Sequence, residues 1–136
     1  MTDTPLSGRR VLVVGASSGI GAALAKAVVS AGGDVAVSAR RSDRLDALVV
    51  EMGRGHAVPG DTTIPAEARR VADEAAAAMG GLDLMVYVAG YGVLQPLVDT
   101  DPVVWTDVFR VNVVGANLAT SAAIGHLDRT GLVAFI

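Results

Sequence analysis

Three features of the sequence predict an α/β fold built on a parallel sheet. Short apolar runs alternate with segments of helical periodicity along the whole length. A glycine-rich turn, Gly15-Ala16-Ser17-Ser18-Gly19-Ile20-Gly21, joins the run Val11-Leu12-Val13-Val14 to an alanine-rich segment. A further run at 83–88 is apolar almost throughout, as in a strand covered on both faces. Together these imply a doubly wound sheet with helices on both sides, right-handed crossovers and strand order 3-2-1-4-5. A length of 136 residues suits one domain with its own core and is too short for two.

The first strand covers 10–14. In the helix that follows, over 19–31, Ile20, Leu24, Ala27 and Val28 recur at helical spacing, and Gly32-Gly33 ends it. A strand over 34–39 leads into Arg40-Arg41-Ser42-Asp43, where Ser42 or Asp43 suits the N-cap of a helix over 44–52. A third strand, 56–59, ends in Gly60-Asp61-Thr62-Thr63. The next helix opens near Pro65, a favoured first-turn position, and closes at Gly80-Gly81. After the strand at 83–88 come a loop over 89–99, a short helix at 102–105 and a long helix over 107–127. Residues 131–136 read as a fifth strand, and no repeat or linker interrupts the series.

Composition narrows the function. Hydrophobic residues make up 51% of the chain, the net charge is −3, and there is no cysteine. A net negative chain without a clustered basic face is not expected to bind nucleic acid. The absence of cysteine excludes disulfides, thiolate catalysis and cysteine–zinc sites. No apolar run reaches spanning length and the first residues lack a signal-like core, so a cytoplasmic protein without membrane contact is expected. His56 and His126 have no partners at metal-ligand or triad spacing, and no metal site is expected.

The glycine turn carries the first chemical signal. A strand that turns sharply into a helix leaves unpaired amides at the positive end of the helix dipole, a place for a pyrophosphate. Gly15 permits the turn, Gly19 lets backbone approach the phosphates, and Gly21 lets helix and strand pack closely. Gly15, Ser17, Ser18, Gly19, Ile20 and Gly21 are therefore the expected cofactor contacts. At the end of the second strand an acid would select NAD by accepting from ribose hydroxyls. Ala39 stands there instead and Arg40 follows, a guanidinium suited to a 2′-phosphate. NADP(H) is expected over NAD, with Arg41 assisting; the plainer reading is a pair of solvated loop charges. A methyltransferase, which also uses a glycine turn, would want an acid where Ala39-Arg40 stand.

The G-x-x-x-G-x-G spacing and the Gly-Ala-Ser-Ser-Gly-Ile-Gly wording resemble the short-chain dehydrogenase/reductase family and its Rossmann-type fold. The family usually has Thr where this chain has Val14. The resemblance implies that Asp61, with Thr62, contacts adenine, although both residues also suit a helix entry. Tyr87-Val88-Ala89-Gly90 resembles the family's Asn-Asn-Ala-Gly motif, keeping Ala89 and Gly90 to pass beside the cofactor ribose while both asparagines are replaced. Tyr91 and Gly92-Val93-Leu94-Gln95 are candidates to border a substrate pocket. Asn112-Val113-Val114-Gly115 resembles the family's Asn-x-x-Gly stretch, which implies a catalytic role for Asn112 through a backbone-held water in a proton relay. Without that resemblance, an asparagine inside a helix suggests a surface position or a local distortion.

The family's catalytic Ser, and its Tyr-x-x-x-Lys pair on the following helix, have no counterpart here. The expectation is the cofactor-binding portion of an NADP(H)-dependent reductase or dehydrogenase acting on a carbonyl or alcohol, cut after strand 5 and inactive alone. Strand 5 would then be an unprotected apolar edge. A natural truncation and a non-catalytic NADP-binding or sensing module are the alternatives. The helix around Asn112 resembles one that pairs with its copy in family dimers and tetramers, so a homo-oligomer is expected.

Overall fold

The computed structural model describes residues 4–136. Its elements run β1 (Arg10–Val14), α1 (Gly19–Ser30), β2 (Asp34–Ser38), α2 (Ser42–Met52) and β3 (His56–Ala57). They continue with α3 (Pro65–Met79), β4 (Leu82–Tyr87), α4 (Pro102–Phe109), α5 (Gly115–Ile124) and β5 (Leu127–Phe135). The strands form one parallel sheet in the order β3-β2-β1-β4-β5, as predicted.

Strand alternation divides the interior into two apolar layers. Leu12, Val14, Ala36, Met85 and Tyr87 face α3 and α5, where Val71, Ala75, Ala116, Ala119 and Ala123 cover them. Val11, Val13, Val35, Val37 and Val86 face α1 and α2 and meet Ala25, Val28, Leu45 and Leu48. β1 lies between β2 and β4, so Val11, Leu12, Val13 and Val14 are all buried, and β-branched side chains suit such a position. Fully burying one valine is worth roughly 1.5–3 kcal/mol, against about 1 kcal/mol for a typical hydrogen bond, so these layers dominate the stability.

A charge clamp joins the amino ends of β1 and β4. The Arg10 guanidinium donates to both oxygens of Asp83 at 2.9 Å, and the Arg10 backbone N–H adds a bond of 2.8 Å. Arg10 also donates to the carbonyl of Gly80 at 2.6 Å, covering the end of α3. The hydrogen bonds from Arg10, with its charge, hold the Asp83 carboxyl down at about 2.

Several boundaries differ from the sequence reading. β2 stops at Ser38 rather than at 39, and α2 starts at Ser42 with Arg41 as its N-cap residue. Ser42 and Asp43 therefore sit inside the first turn, where the Asp43 charge meets the positive end of the helix. β3 ends its regular ladder after Ala57 because Pro59 has no N–H to donate. The amides of Val58 and Gly60 still reach the carbonyls of Val37 and Ala39 at 2.9 and 3.0 Å.

The largest difference concerns the helices after β4. In place of a short helix and a separate long one, α4 and α5 are continuous through a π-helical turn, Arg110–Val114. Asp101 caps the start by accepting from the Val103 N–H at 2.8 Å, with Pro102 in the first turn. In the π turn the Gly115 amide reaches back to the Arg110 carbonyl. Tyr87, buried at the end of β4, donates its hydroxyl to the Val111 carbonyl at 2.6 Å. A side chain at position 115 would meet that hydroxyl, since an added Cβ would lie 2.6 Å from it. α5 ends at Ile124 rather than at 127, and β5 begins at Leu127 rather than at 131. A register shift in β5 absorbs the extra residues, where Asp128 accepts from the Thr130 amide and hydroxyl at 2.7 Å each.

Two outcomes follow. Since the folded Asp83 carboxyl has its pKa depressed from 3.8 to about 2, its contribution is complete above the unfolded value and is lost as pH falls through that interval. Urea unfolding of Asp83→Asn should show a deficit against wild type at pH 6 that narrows below about pH 4; a pH-independent deficit would contradict this. Tyr87→Phe leaves the Val111 carbonyl without its phenol donor and should cost about 1–2 kcal/mol in the same assay.

Candidate functional site

The glycine turn after β1 packs directly on the chain leaving β4. Gly15 has φ +96°, and a Cβ there would lie 2.3 Å from the Ala89 nitrogen. A Cβ on Gly21 would lie 2.1 Å from the Gly15 carbonyl oxygen. Both contacts are backbone to backbone, so neither can yield by moving a side chain. The Gly15 and Ala16 amides bond to the Ser38 carbonyl at 2.7 and 3.1 Å, anchoring the turn to β2. The Ser38 hydroxyl behind it is buried without a partner among the described residues.

This packing opens a cleft of about 710 Å³ at the carboxyl ends of the strands. One wall is the start of α1 and the β2–α2 connection, with Ser17, Ser18, Gly19, Ile20, Arg40 and Arg41. The other holds Asp61, Thr62, Thr63, Tyr91, Asp107 and Arg110, and Ala89 and Gly90 line the base beside Gly15 and Gly21. Every cofactor-binding candidate read from the sequence lines this one cleft. The start of α1 has no side-chain cap at Ser18 and no acidic residue in its first turn, so its positive field is uncancelled. Arg40 is exposed, and among the described residues no carboxylate lies within ion-pairing distance of it.

Asp61 is partly occupied by its own turn. Its Oδ1 accepts from the Thr63 amide at 3.0 Å and the Thr63 hydroxyl at 2.6 Å, and its N–H donates to Glu67 at 2.6 Å. Partial burial acts to raise the Asp61 pKa but is outweighed by the Thr63 bonds and by the positive charges of Arg40 and Arg110. The carboxyl therefore titrates below the ordinary carboxylate range. Helix entry is thus a role Asp61 fills in this structure.

Asn112 stands apart from the cleft lining. It lies in the π turn, the local distortion that a helical asparagine suggests. Its Oδ1 accepts from the Tyr91 amide at 3.0 Å and its Nδ2 donates to the Tyr91 carbonyl at 2.8 Å, clamping the chain after β4 as a second strand would. A Cβ on Gly90 would come within 2.6 Å of that Oδ1. Of the adjoining residues weighed as a pocket border, Tyr91 lines the cleft, while Val93 faces a second, apolar hollow beside Trp105 and Phe109. His56 pairs with Asp34 at 3.2 Å and His126 with Asp73 at 2.7 Å, and no metal-binding cluster occurs among the described residues.

Sequence reasoning missed the polar group on the second wall. The Tyr91 hydroxyl donates to Asp107 Oδ2, Arg110 donates to Asp107 Oδ1 at 2.8 Å, and Arg110 donates to the Thr63 hydroxyl at 2.9 Å. The Asp107–Arg110 spacing of three on a helix was a visible signal for their pairing. Nothing local points Arg110 at Thr63, which is 47 positions away.

The short chain dehydrogenase profile matches residues 9–136. A short chain dehydrogenase of Pseudocercospora fijiensis is 41% identical over 125 residues, 88% of this chain and 40% of its own length. The glucose 1-dehydrogenase of Gluconobacter oxydans is 34% identical over 131 residues, 93% of this chain and 49% of its own. A crystal structure of a short chain dehydrogenase from Burkholderia cenocepacia in complex with NADP superposes with a TM-score of 0.88 at 36% identity, covering 96% of this chain and 55% of that one. A dehydrogenase/reductase from Sinorhizobium meliloti gives 0.91 at 30% identity, covering 98% and 55%. The chain thus spans about half the length of the relatives it matches. With the glycine turn, the sheet order and a profile match from residue 9 to residue 136, the chain belongs to the short-chain dehydrogenase/reductase family.

Proposed function

We propose that these residues form the NADP(H)-binding portion of an oxidoreductase that transfers hydride between nicotinamide and a carbonyl or alcohol. The observation that carries this reading is an uncapped α1 start and an unpaired Arg40 side by side on one wall of the same cleft. The site fits a dinucleotide: Gly15 and Gly21 let the turn pack where no Cβ could fit, Gly19 leaves open space at the start of α1, and the first-turn amides of α1 offer donors to a diphosphate. When bound, the nicotinamide supplies or accepts the hydride.

Each residue's task follows from its chemistry. Ser17, Ser18, Gly19, Ile20 and Gly21 hold the diphosphate. Arg40, aided by Arg41, takes the 2′-phosphate through a planar, permanently charged fork, and no acid at the end of β2 opposes it. Asp61 and Thr62 border the adenine, and Ala89 and Gly90 pass beside a ribose. Asn112 fixes the chain at Tyr91 and sets the π turn whose backbone would hold the relay water of the family's chemistry. The NADP complex of the Burkholderia cenocepacia relative supports this choice of cofactor. As a whole, the protein is read as a cytoplasmic homo-oligomer acting on a small molecule. Among the described residues no helix is long and apolar enough to cross a membrane.

Equilibrium titration tests the cofactor assignment. Arg40→Ala should weaken NADPH by about tenfold or more while changing NADH by less than about twofold, as expected for a lost charge-assisted phosphate contact. Equal wild-type affinities for the two cofactors would overturn it. The 136 residues contain no Tyr-x-x-x-Lys pair, so this polypeptide alone should bind NADPH without turnover on a carbonyl panel. Sustained NADPH oxidation by it would contradict that. In the whole protein, binding with no hydride transfer would favour a sensing role instead.

A further inference from the structure

The three arginines lining the cleft, Arg40, Arg41 and Arg110, are not equivalent. Arg40 has no ion-pair partner among the described residues, whereas Arg110 on the opposite wall is held by Asp107 at 2.8 Å and by the Thr63 hydroxyl at 2.9 Å. The Thr63 hydroxyl in turn donates to Asp61 Oδ1 at 2.6 Å, and Tyr91 donates to the other oxygen of Asp107. The second wall therefore carries a pinned cation whose charge is cancelled at its source. A guanidinium has five N–H groups, and the bonds from Nε, Nη1 and Nη2 of Arg110 leave two of them for a ligand.

We propose that Asp107 sets how strongly this cleft prefers the phosphorylated dinucleotide, by neutralising Arg110 and opposing Arg40 from the facing wall. The inference rests on the NADP(H) reading above. Without the Asp107 charge, the cleft would add the uncancelled Arg110 cation to those of Arg40 and Arg41 in facing a 2′-phosphate. Asp107, Asp61 and Arg40 line the same cleft; Asp107 is held low chiefly by the bonds from Tyr91 and Arg110 and Asp61 by those from Thr63, with Arg40 a lesser contributor to both. At such partly exposed sites the effect is modest and salt-dependent.

Asp107→Asn is a suitable probe because it preserves the shape. The amide oxygen still accepts from Arg110, and the amide nitrogen can donate to the Tyr91 phenol oxygen, reversing that bond rather than removing it. In the intact protein at low salt, Asp107→Asn should tighten NADPH about three- to tenfold and leave NADH within about twofold. The gain should shrink as salt rises and disappear in the Asp107→Asn/Arg110→Gln double variant. Unchanged or weaker NADPH binding by a folded Asp107→Asn would overturn the inference. Should that variant not fold, Arg110→Gln alone decides. It exposes the Asp107 charge and should weaken NADPH at least about threefold with NADH unaffected; no loss would overturn the inference. The cofactor reading fails separately, if wild type shows no NADPH preference or Arg40→Ala does not reduce it.

Discussion

The site depends on a contact between backbones that leaves no room for a side chain. Gly15 rests against Ala89, and Gly21 rests against Gly15. This double approach brings the ends of β1 and β4 together beneath the first turn of α1. The uncapped amides then point into a cleft and not into the core or open solvent. A methyl group at either glycine would push the turn away from β4 and separate the two strand ends that make the floor.

Around that contact the fold divides its work between the two ends of the sheet. At the amino ends, the Arg10–Asp83 clamp and the two apolar layers hold β1 and β4 in register. The carboxyl ends carry irregular connections, where backbone groups are free of ladder bonds and can meet a ligand. The π turn belongs to this second group. Tyr87 grips it from the sheet and Asn112 ties it to the chain after β4, so it is fixed on two sides.

Much of this was legible in the sequence because the relevant signals are local. The glycine spacing, the apolar runs and the Ala39-Arg40 pair lie within short windows, and they led to the correct sheet order and to one shared cleft. The join of α4 to α5 was not legible, because Asp107 to Gly115 has helical character whether or not it contains a wide turn. The end of α5 and the start of β5 were misplaced because the helix was carried to 127, past Gly125, and the strand was begun only at 131. Tyr87 was read as a lost asparagine, yet its phenol supplies a polar contact from the same place, across 24 positions that no local pattern links. The wall formed by Tyr91, Asp107, Arg110 and Thr63 was hidden for the same reason, since its partners meet only in three dimensions.

The wide turn at Arg110–Val114 also acts as an angular spacer. Each residue added to or taken from a helix rotates everything downstream by about 100°. Ala116, Ala119 and Ala123 reach the sheet because the turn holds one residue more than a regular helix would. Deleting any one residue there would swing that alanine stripe off the sheet and bring bulkier neighbours inward. The length of this segment is therefore fixed more tightly than its composition, and a shortened variant would misplace the whole of α5 rather than simply straighten it.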